Sequence, residues 1–451
     1  MPTRAPAGQA LEPEIGRIGH ALADGFPSPA RHPLRALDDR AMEATSSDEE
    51  LRAALFRLVD VTPACRSLDD LARHLIGFLE QMPERPPALD GAMRAAGTKA
   101  GRMALGGAVT AGVRHMAHRF IVAEHSRAAR RQLEHLWRAG VACSLDLLGE
   151  ATVTEPEADR YSERCLEALE EVARASARWP SQPRLEADGL GPIPRANLSV
   201  KVSALTPLLR PEAPELGRED AARRLRPLLR RAGELDAHLH VDMESVDTLE
   251  ATLDLVLELL SEAEFREGPS AGVVLQAYLR DSPAQLERVV SWARGCERGR
   301  PLTVRLVKGA YWDHEVIEAR SHGWSTPVFE DKAECDRNFE ALTRRLCDER
   351  PLLRVAVASH NLRSVAHAIA YSRSLGAPDS ELELQVLRGL GDDLAVSLAA
   401  QGMRVRSYCP VGDMVAGMAY LVRRLLENTA NESFLGDLGR GADLDELLRA
   451  P

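Results

Sequence analysis

Residues 302–312 read LTVRLVKGAYW. The first seven form a short run rich in β-branched side chains, which is typical of a buried strand, and polar groups follow where the run ends. Similar runs recur on both sides of it, separated by longer amphipathic stretches such as Thr248–Leu260 and Gln285–Arg294. Strands that alternate in this way with helices predict an α/β fold, a (β/α)8 TIM-type barrel. The eight runs are Ala142–Leu148, Asn197–Leu205, Ala237–Met243, Gly272–Tyr278, Leu302–Lys308, Arg354–Ser359, Leu382–Leu387 and Val405–Tyr408.

The overall composition is that of a large acidic globular protein. The 451 residues carry a formal net charge of −11 and 45% of them are hydrophobic, which suits a large core and excludes a disordered chain. The acidic balance argues against a nucleic-acid partner. No apolar run reaches about 18 residues and no secretory signal is visible, so we expect no transmembrane helix. The seven scattered cysteines include no CxxC pair and indicate reduced thiols in a cytoplasmic protein, without a metal site.

We predict four segments along the chain. Residues 1–50, rich in proline, alanine and charge, are predicted to be a partly ordered N-terminal arm. Residues 51–140 show a helical apolar period and form an α-helical region, residues 141–435 form the barrel, and residues 436–451 are a C-terminal tail. Within the barrel, the Pro- and Gly-rich stretch Arg178–Arg195 is predicted to be a loop before the second strand.

Lysine is rare in this sequence. Of the 57 basic residues, four are lysines, namely Lys99, Lys201, Lys308 and Lys332, and the others are arginines. A sequence with this bias has exchanged lysine wherever the exchange is harmless, so each remaining lysine is a candidate for a place that needs a compact ammonium. Chance survival of one or two is the alternative. Lys201 and Lys308 lie on predicted strands, among the polar groups that converge at one end of the predicted barrel, which favours a functional role.

Polar side chains end every predicted strand. The active site of a (β/α)8 barrel forms at the C-terminal ends of its strands, so polar groups there are candidates for catalysis or binding. Any single one is also explained as an ordinary polar cap, but eight converging ends favour a site. The candidate groups are Asp146, Glu150, Lys201, Ser203, Asp242, Glu244, Gln276, Tyr278, Arg305, Lys308, Tyr311, Trp312, His360, Asn361, Gln385, Arg388 and Tyr408.

The segment after the last strand, residues 418–434, has helical spacing. Arg423 and Glu427 are four residues apart, and Arg424 is adjacent. This pattern fits a solvated, salt-bridged helix face or a pair of guanidiniums that binds a carboxylate.

Familiar cofactor and metal motifs are absent, with one weak exception. The chain has no complete GxGxxG, no Walker A sequence and no HExxH. His238, His240 and Asp242 alternate on one face of the third strand, which resembles a strand of a metal-dependent barrel hydrolase. That activity stays open as an alternative.

Longer strings resemble the proline dehydrogenase domain of bacterial proline utilization A proteins. The resemblance runs from about residue 55 to 434 and covers all eight predicted strands. It rests on RFIVAE (119–124), SLDLLGEATVTEPEADRY (144–161), NLSVKVSAL (197–205), HVDMESVDTLEATLDL (240–255), VVLQAY (273–278), RLVKGAYW (305–312), SHN (359–361) and AYLVRRLLEN (419–428).

This resemblance implies a distorted barrel that holds FAD on its strand ends and oxidises L-proline to Δ1-pyrroline-5-carboxylate. Arg423, Arg424 and Lys201 would hold the substrate carboxylate. Asp242 would hold Lys201 or its neighbours, and Glu427 would support the arginines. Tyr311 and Tyr408 would pack on the proline ring. The flavin would be lined by Gln276, Arg305, Val307, Lys308, Gly309, Ala310, Trp312, Lys332, His360, Asn361 and Gln385.

The chain departs from the family pattern at three places. Asp413 and Met414 replace a usual Thr-His pair, Cys335 replaces a threonine and Cys409 a common alanine. The Cys335 change leaves open whether Lys332 reaches the phosphate or adenosine of FAD.

The resemblance also implies partners. The expected acceptor is a quinone, which suggests peripheral contact with the inner face of the membrane for a cytoplasmic enzyme. We expect a monofunctional enzyme without an aldehyde dehydrogenase domain, whose product passes to a separate pyrroline-5-carboxylate dehydrogenase. Hydroxyproline dehydrogenase activity on the same fold is the further alternative, and the bulk of Tyr408 argues against it.

Overall fold

The structure is a computed structural model that describes residues 11–27, 50, 53–54, 57–58, 61–82, 87–149, 151–413, 417 and 441–451. Its main strands are β1 (Val141–Leu147), β2 (Asn197–Lys201), β3 (His238–Asp242), β4 (Ser270–Gln276), β5 (Leu302–Val307), β6 (Leu353–Ala358), β7 (Leu382–Leu387) and β8 (Arg404–Val411). All pair in parallel, each with its neighbour in sequence, and β1 pairs with both β2 and β8, so the sheet closes into a barrel. The predicted fold class is therefore confirmed.

Helices surround the barrel and precede it. They are α1 (Glu12–Asp24), α2 (Leu68–Glu80), α3 (Pro87–Ala95), α4 (Lys99–Phe120), α5 (Ser126–Arg138), α6 (Glu155–Ser176), α7 (Pro183–Glu186), α8 (Val202–Leu205), α9 (Pro214–Glu234), α10 (Val246–Ser261), α11 (Ser282–Gly295), α12 (Trp312–His322), α13 (Lys332–Asp348), α14 (Leu362–Ser374), α15 (Asp392–Ala400) and α16 (Leu444–Leu447). Within the described ranges, none of them combines the length and the apolar character needed to cross a membrane.

Six of the eight predicted strands have borders within two residues of those observed. The second was predicted to run from Asn197 to Leu205, which is wrong beyond Lys201, because the chain turns there into α8. This turn leaves Lys201 at the very end of its strand. The last strand is longer than predicted and continues to Val411, beside Leu147 of β1.

Helix α6 illustrates how the sequence specifies an outer helix. Thr154 and Glu157 form a capping box, in which the Glu157 carboxylate accepts the backbone N–H of Thr154 at 3.0 Å. Tyr161, Cys165 and Leu169 follow at four-residue intervals and are buried against the barrel. Full burial of a large apolar side chain is worth about 1.5–3 kcal/mol. This packing fixes Tyr161, whose hydroxyl accepts the backbone N–H of Lys201 at 3.4 Å.

The floor of the barrel, at the N-terminal ends of the strands, is closed by a short hairpin. Its strands are Ala187–Asp188 and Gly191–Pro192. The Asp188 carboxylate accepts from Arg354 at 2.9 Å and from Arg404 at 2.8 Å, and all three side chains are at most 6% exposed. The prediction of a plain loop over Arg178–Arg195 is therefore wrong, because this segment includes α7 and the hairpin.

The two ends of the described chain pack together on the barrel. Ile15, Ile18 and Leu22 of α1 are buried at i, i+3 and i+7, a period that the sequence contains within the predicted arm. Leu448 packs against Gly19, where an added Cβ would lie 2.5 Å from the leucine side chain. The arm predicted for residues 1–50 thus contains one regular, docked helix, and the predicted tail contains α16.

A second, smaller apolar cluster lies outside the barrel. Leu58, Leu71, Leu75 and Leu79 form its centre, where α2 packs on α4. Helix α2 begins with Ser67, whose hydroxyl accepts the backbone N–H of Asp70 at 3.1 Å.

Candidate active site

The mouth of the barrel, at the C-terminal ends of the strands, holds a half-buried lysine between two carboxylates. Lys201 Nζ donates to Asp146 Oδ1 at 2.5 Å and lies 4.0 Å from Asp242 Oδ2. Burial alone would lower the pKa of Lys201, but the charges of Asp146 and Asp242 outweigh it and raise the pKa above its ordinary value. The ammonium is therefore permanently charged, and the parallel pairing of Lys201 with Asp242 holds the two together.

Asp242, at the end of β3, binds side chains from β5 and β8. Its Oδ1 accepts from Arg305 Nη1 at 2.6 Å, and its Oδ2 accepts from the Tyr408 hydroxyl at 2.6 Å. Burial and the nearby charges of Asp146 and Asp242 raise the pKa of Tyr408 well above its usual value, so the phenol stays a donor. The Arg305 guanidinium carbon lies 5.4 Å from the centre of the Tyr408 ring, within the range of a cation–π contact.

Arg305 is held on each of its nitrogens. Besides the bond to Asp242, its Nε donates to Gln385 Oε1 at 2.7 Å and its Nη2 donates to Ser199 Oγ at 3.2 Å. Gln385, which is predicted to line a flavin, is bonded at both ends of its amide, because Nε2 also donates to Glu383 at 2.6 Å. Gln385 thus supports Arg305 from inside the barrel.

The rim between β4 and β5 is shaped for close approach by another molecule. Gly309 has φ +138°, and an added Cβ would lie 2.3 Å from the ring of Tyr278. The Gln276 Nε2 donates to the carbonyl oxygen of Glu244 at 3.0 Å. The Gln276 Oε1 is buried and has no hydrogen-bond partner among the described residues. A buried acceptor in this state points to a ligand with an N–H group.

Comparison with known proteins identifies the barrel. A family model of proline dehydrogenase matches residues 129–437, and one of the proline utilization A N-terminal domain matches residues 12–120. The chain belongs to the proline dehydrogenase family.

Relatives of this proline dehydrogenase family member include longer proteins. It is 31% identical to the bifunctional protein PutA of Salmonella typhimurium over 361 residues, 78% of this chain and 26% of that protein. It is 26% identical to proline dehydrogenase 1 of Bacillus subtilis, over 72% of this chain and 90% of that protein.

A solved structure shares the fold. Proline utilization A from Bdellovibrio bacteriovorus, inactivated by N-propargylglycine, superimposes with a TM-score of 0.87 at 34% identity. The match covers 98% of this chain and 44% of that one, so the chain spans less than half of this relative.

The mouth of this family member fits a flavin. The isoalloxazine ring carries an N–H group and several acceptor atoms at its edge. Gln276 offers a buried acceptor, and Arg305 offers N–H groups on its Nη atoms. Lys308, paired with Asp336, adds a cation at the end of β5, and Gly309 leaves room for a flat ring. Because each polar edge of the ring would find a complementary group, the described residues suit this cofactor.

The remaining predicted flavin residues fall into different roles. His360 Nε2 accepts the backbone N–H of Leu387 at 2.9 Å, which assigns the ring proton to Nδ1. The side chain of Asn361 caps α14 by accepting from Ser364 N at 3.0 Å, and its contact with a flavin stays a prediction. Trp312 donates through Nε1 to the carbonyl oxygen of Phe329 at 2.9 Å.

Further predicted residues lie around the mouth. Val307 ends β5 beside Gln276, Ala310 and the half-buried Tyr311 lie in the turn into α12, and Lys332 is the exposed first residue of α13. Burial raises the pKa of the nearby Cys335 to about 11, which keeps its thiol protonated.

The predicted carboxylate clamp lies outside the described residues. Arg423, Arg424 and Glu427 belong to the segment 418–440, which the structure does not describe. Their role in binding a substrate carboxylate stays a prediction.

Sequence reasoning overlooked Asp146 as a partner of Lys201. It noted Asp146 at a strand end and assigned the support of Lys201 to Asp242, yet the shorter bond is to Asp146. Asp146 is fully buried and faces inward from β1, and its Oδ2 has no hydrogen-bond partner within the described ranges. The sequence contains one signal for this role. Asp146 is two residues from Ser144 on β1, so both polar side chains lie on the same, inward face of the strand.

The alternative of a metal site on β3 is not supported. His238 bonds to Ser270 Oγ at 2.8 Å and to His240 Nδ1 at 3.1 Å, near the floor of the barrel. Asp242, the third predicted ligand, is occupied by Arg305 and Tyr408 at the mouth. Burial, followed by the charge of Arg406, lowers the pKa of His238 to about 3, so the imidazole is neutral in surroundings that disfavour a further cation.

Proposed function

We propose that this chain catalyses the FAD-dependent oxidation of L-proline to Δ1-pyrroline-5-carboxylate at the mouth of its barrel. The observation that carries the proposal is the hydrogen-bonded set of Asp146, Lys201, Asp242, Arg305 and Tyr408 at the strand ends of a member of the proline dehydrogenase family. When bound, the flavin supplies the acceptor for the hydride that leaves the ring carbon next to the amine.

Lys201 is the substrate-side cation of this site. Its side chain is 14% exposed, and Asp146 accepts a hydrogen bond from its ammonium at 2.5 Å. A carboxylate that enters the mouth would pair with the compact ammonium, and Arg423 and Arg424 are proposed to complete this clamp with Glu427 in support. The function of the clamp is to hold the proline ring in a single orientation.

Tyr408 forms one wall of the proposed ring pocket. Its hydroxyl is fixed by Asp242, so the ring cannot swing aside without breaking that bond. Together with Tyr311 it would pack on the apolar carbons of proline and exclude water. A hydroxyl on the substrate ring would have to displace this wall, which supports proline over hydroxyproline as substrate.

The proposed hydride transfer does not require a nucleophilic side chain. Proton loss from the substrate amine makes its lone pair available to assist hydride loss, and the protein has to align the ring with the acceptor. Arg305 and Lys308 would place positive charge near the reduced flavin and stabilise its anionic form.

The partners complete the proposal. A quinone is the proposed electron acceptor. The proposed location is the cytoplasm, with peripheral contact to the inner face of the membrane where quinones are dissolved. The product would pass to a pyrroline-5-carboxylate dehydrogenase.

Product analysis tests this function. The purified protein is loaded with FAD and incubated with a soluble quinone and L-proline, D-proline or 4-hydroxyproline. The masses of the products are then measured by mass spectrometry. We expect L-proline to yield a product lighter by two hydrogens, and much less turnover with the other two. A clear preference for hydroxyproline would move the proposal to that substrate, and no oxidation of any of the three would refute it.

A further inference from the structure

A line of buried hydrogen bonds runs through the barrel interior to Arg305. Arg406 donates to both oxygens of Glu383, at 2.8 and 3.0 Å. Gln385 Nε2 donates to Glu383 Oε1 at 2.6 Å, and Gln385 Oε1 accepts from Arg305 Nε at 2.7 Å. Glu383 and Gln385 are two residues apart on β7, so both side chains face inward.

Glu383 decides which way the Gln385 amide faces. The two ends of a glutamine amide have nearly the same shape but opposite hydrogen-bonding capacity. An ionised carboxylate only accepts and a guanidinium only donates, so the NH2 end must face Glu383 and the oxygen must face Arg305. A reversed amide would place a donor against Arg305 and an acceptor against Glu383, and both bonds would be lost.

The surrounding arginines keep Glu383 ionised. Burial would raise the pKa of this carboxyl, but the charge of Arg406, and behind it Arg404 at 3.9 Å, holds the pKa far below its ordinary range. Glu383 is therefore ionised at neutral pH, and its charge sets the orientation of the amide.

We propose that Glu383 is a positioning residue for the electron-accepting side of the active site, and that it acts through Gln385 to orient the Arg305 guanidinium. This inference rests on the proposed function, in which Arg305 faces the flavin. Arg305 is fixed at Nη1 by Asp242 and at Nη2 by Ser199, and the Nε bond to Gln385 is the third support. Without the hydrogen bond to Gln385, the Arg305 guanidinium can rotate. Its remaining N–H groups would then no longer be held in one direction toward the flavin.

The test compares two single variants and their combination in the flavin-loaded protein. In Glu383→Gln, the new amide cannot satisfy Arg406 and Gln385 together without turning one NH2 toward another donor. In Gln385→Leu, the line is cut without a change of charge. We expect each variant to lower kcat about 10- to 100-fold, with KM for proline changed less than about twofold. The double variant should be no slower than Glu383→Gln alone, because both changes break the same line.

A second readout does not depend on turnover. The visible circular dichroism of bound flavin responds to the charges placed around its ring, and we expect it to change alike in Glu383→Gln and Gln385→Leu. The matched control is Glu340→Gln, the same substitution at a buried carboxylate of α13, whose ion pair with Arg363 at 2.8 Å has no contact with Glu383 or Gln385. The control should lose stability and keep both kcat and the flavin spectrum.

Three outcomes would overturn the inference. They are a double variant whose loss equals the product of the single losses, a Glu383→Gln protein that resembles Glu340→Gln in every readout, and a Gln385→Leu protein with unchanged kcat and spectrum. The last result decides the matter even if Glu383→Gln does not fold. A wild-type protein that binds flavin but is not reduced by proline would instead refute the proposed function, and the flavin spectra of the variants would still test the role of Glu383.

Discussion

The two ends of the barrel use similar residues for different purposes. At the floor, Asp188 lies between Arg354 and Arg404, and the carboxylate is 1% exposed. At the mouth, Lys201 lies between two carboxylates and is 14% exposed. The floor buries one anion between two cations, whereas the mouth holds one cation between two anions and leaves it within reach of a ligand.

This difference separates stability from function. A buried ion pair adds little stability over an apolar core, but loss of one partner leaves an uncompensated charge and is costly. Damage to the floor should therefore appear as a loss of folding free energy. Damage to the mouth should appear as a loss of binding and rate in a protein that remains folded.

The largest effect is expected at the floor. Asp188→Asn removes the charge that two buried arginines share, and should lower the free energy of unfolding by about 3–5 kcal/mol. Urea denaturation measures this change. The matched control is Asp379→Asn, whose partner Arg373 is 35% exposed, and which should cost less than about 1 kcal/mol. Equal losses in the two variants would break the comparison.

The next effect is expected at the mouth. Lys201→Met removes the substrate-side cation and should lower kcat/KM for proline about 100-fold, or about 3 kcal/mol, because a charged hydrogen-bonded contact is lost. The rate of flavin reduction over a range of proline concentrations measures it. Lys99→Met, at the exposed start of α4, should leave this rate unchanged. A Lys201→Met protein with normal kinetics would remove Lys201 from the site.

A smaller loss of folding free energy is expected on acidification, and it comes from His238 near the floor of the barrel. The pKa of His238 is lowered in the folded state to about 3, so the unfolded chain binds the proton first as the pH falls below about 6.5. The stabilisation is thus present at neutral pH and is lost between about 6.5 and 3. From pH 7 to 5 we expect a loss of about 1–2 kcal/mol from this residue, by urea denaturation at both values.

His238→Gln should make that pH dependence shallower. His322→Gln, a change at a histidine that is 49% exposed, should not alter it. A pH dependence that is identical in wild type and His238→Gln would show that other groups are responsible.

The sequence predicts the mouth better than the floor because the mouth is specified by local signals. Each strand carries its own apolar run and its own polar end, and two of the four lysines, Lys201 and Lys308, lie on these strands. The parallel register then brings these ends together, as the pairing of Lys201 with Asp242 shows.

Partners that are distant along the chain were not predictable. Asp188 is 166 residues from Arg354 and enters the barrel from a segment with the composition of a loop. The choice between Asp146 and Asp242 as the main partner of Lys201 depends on about 1.5 Å of side-chain placement, which no spacing rule specifies. The hydrogen bonds of Gln385 to Arg305 and of Asn361 to Ser364 were likewise not predicted, and the predicted contact of both residues with a flavin stays a prediction.

The most direct test of the central claim is an absorption spectrum of the purified protein, recorded without oxygen before and after addition of L-proline. We predict flavin absorption near ~450 nm that bleaches when proline is added, and that bleaches far more slowly in Lys201→Met. A protein that does not take up FAD, or a bound flavin that stays oxidised in excess proline, would contradict the assignment of proline oxidation to the mouth of this barrel.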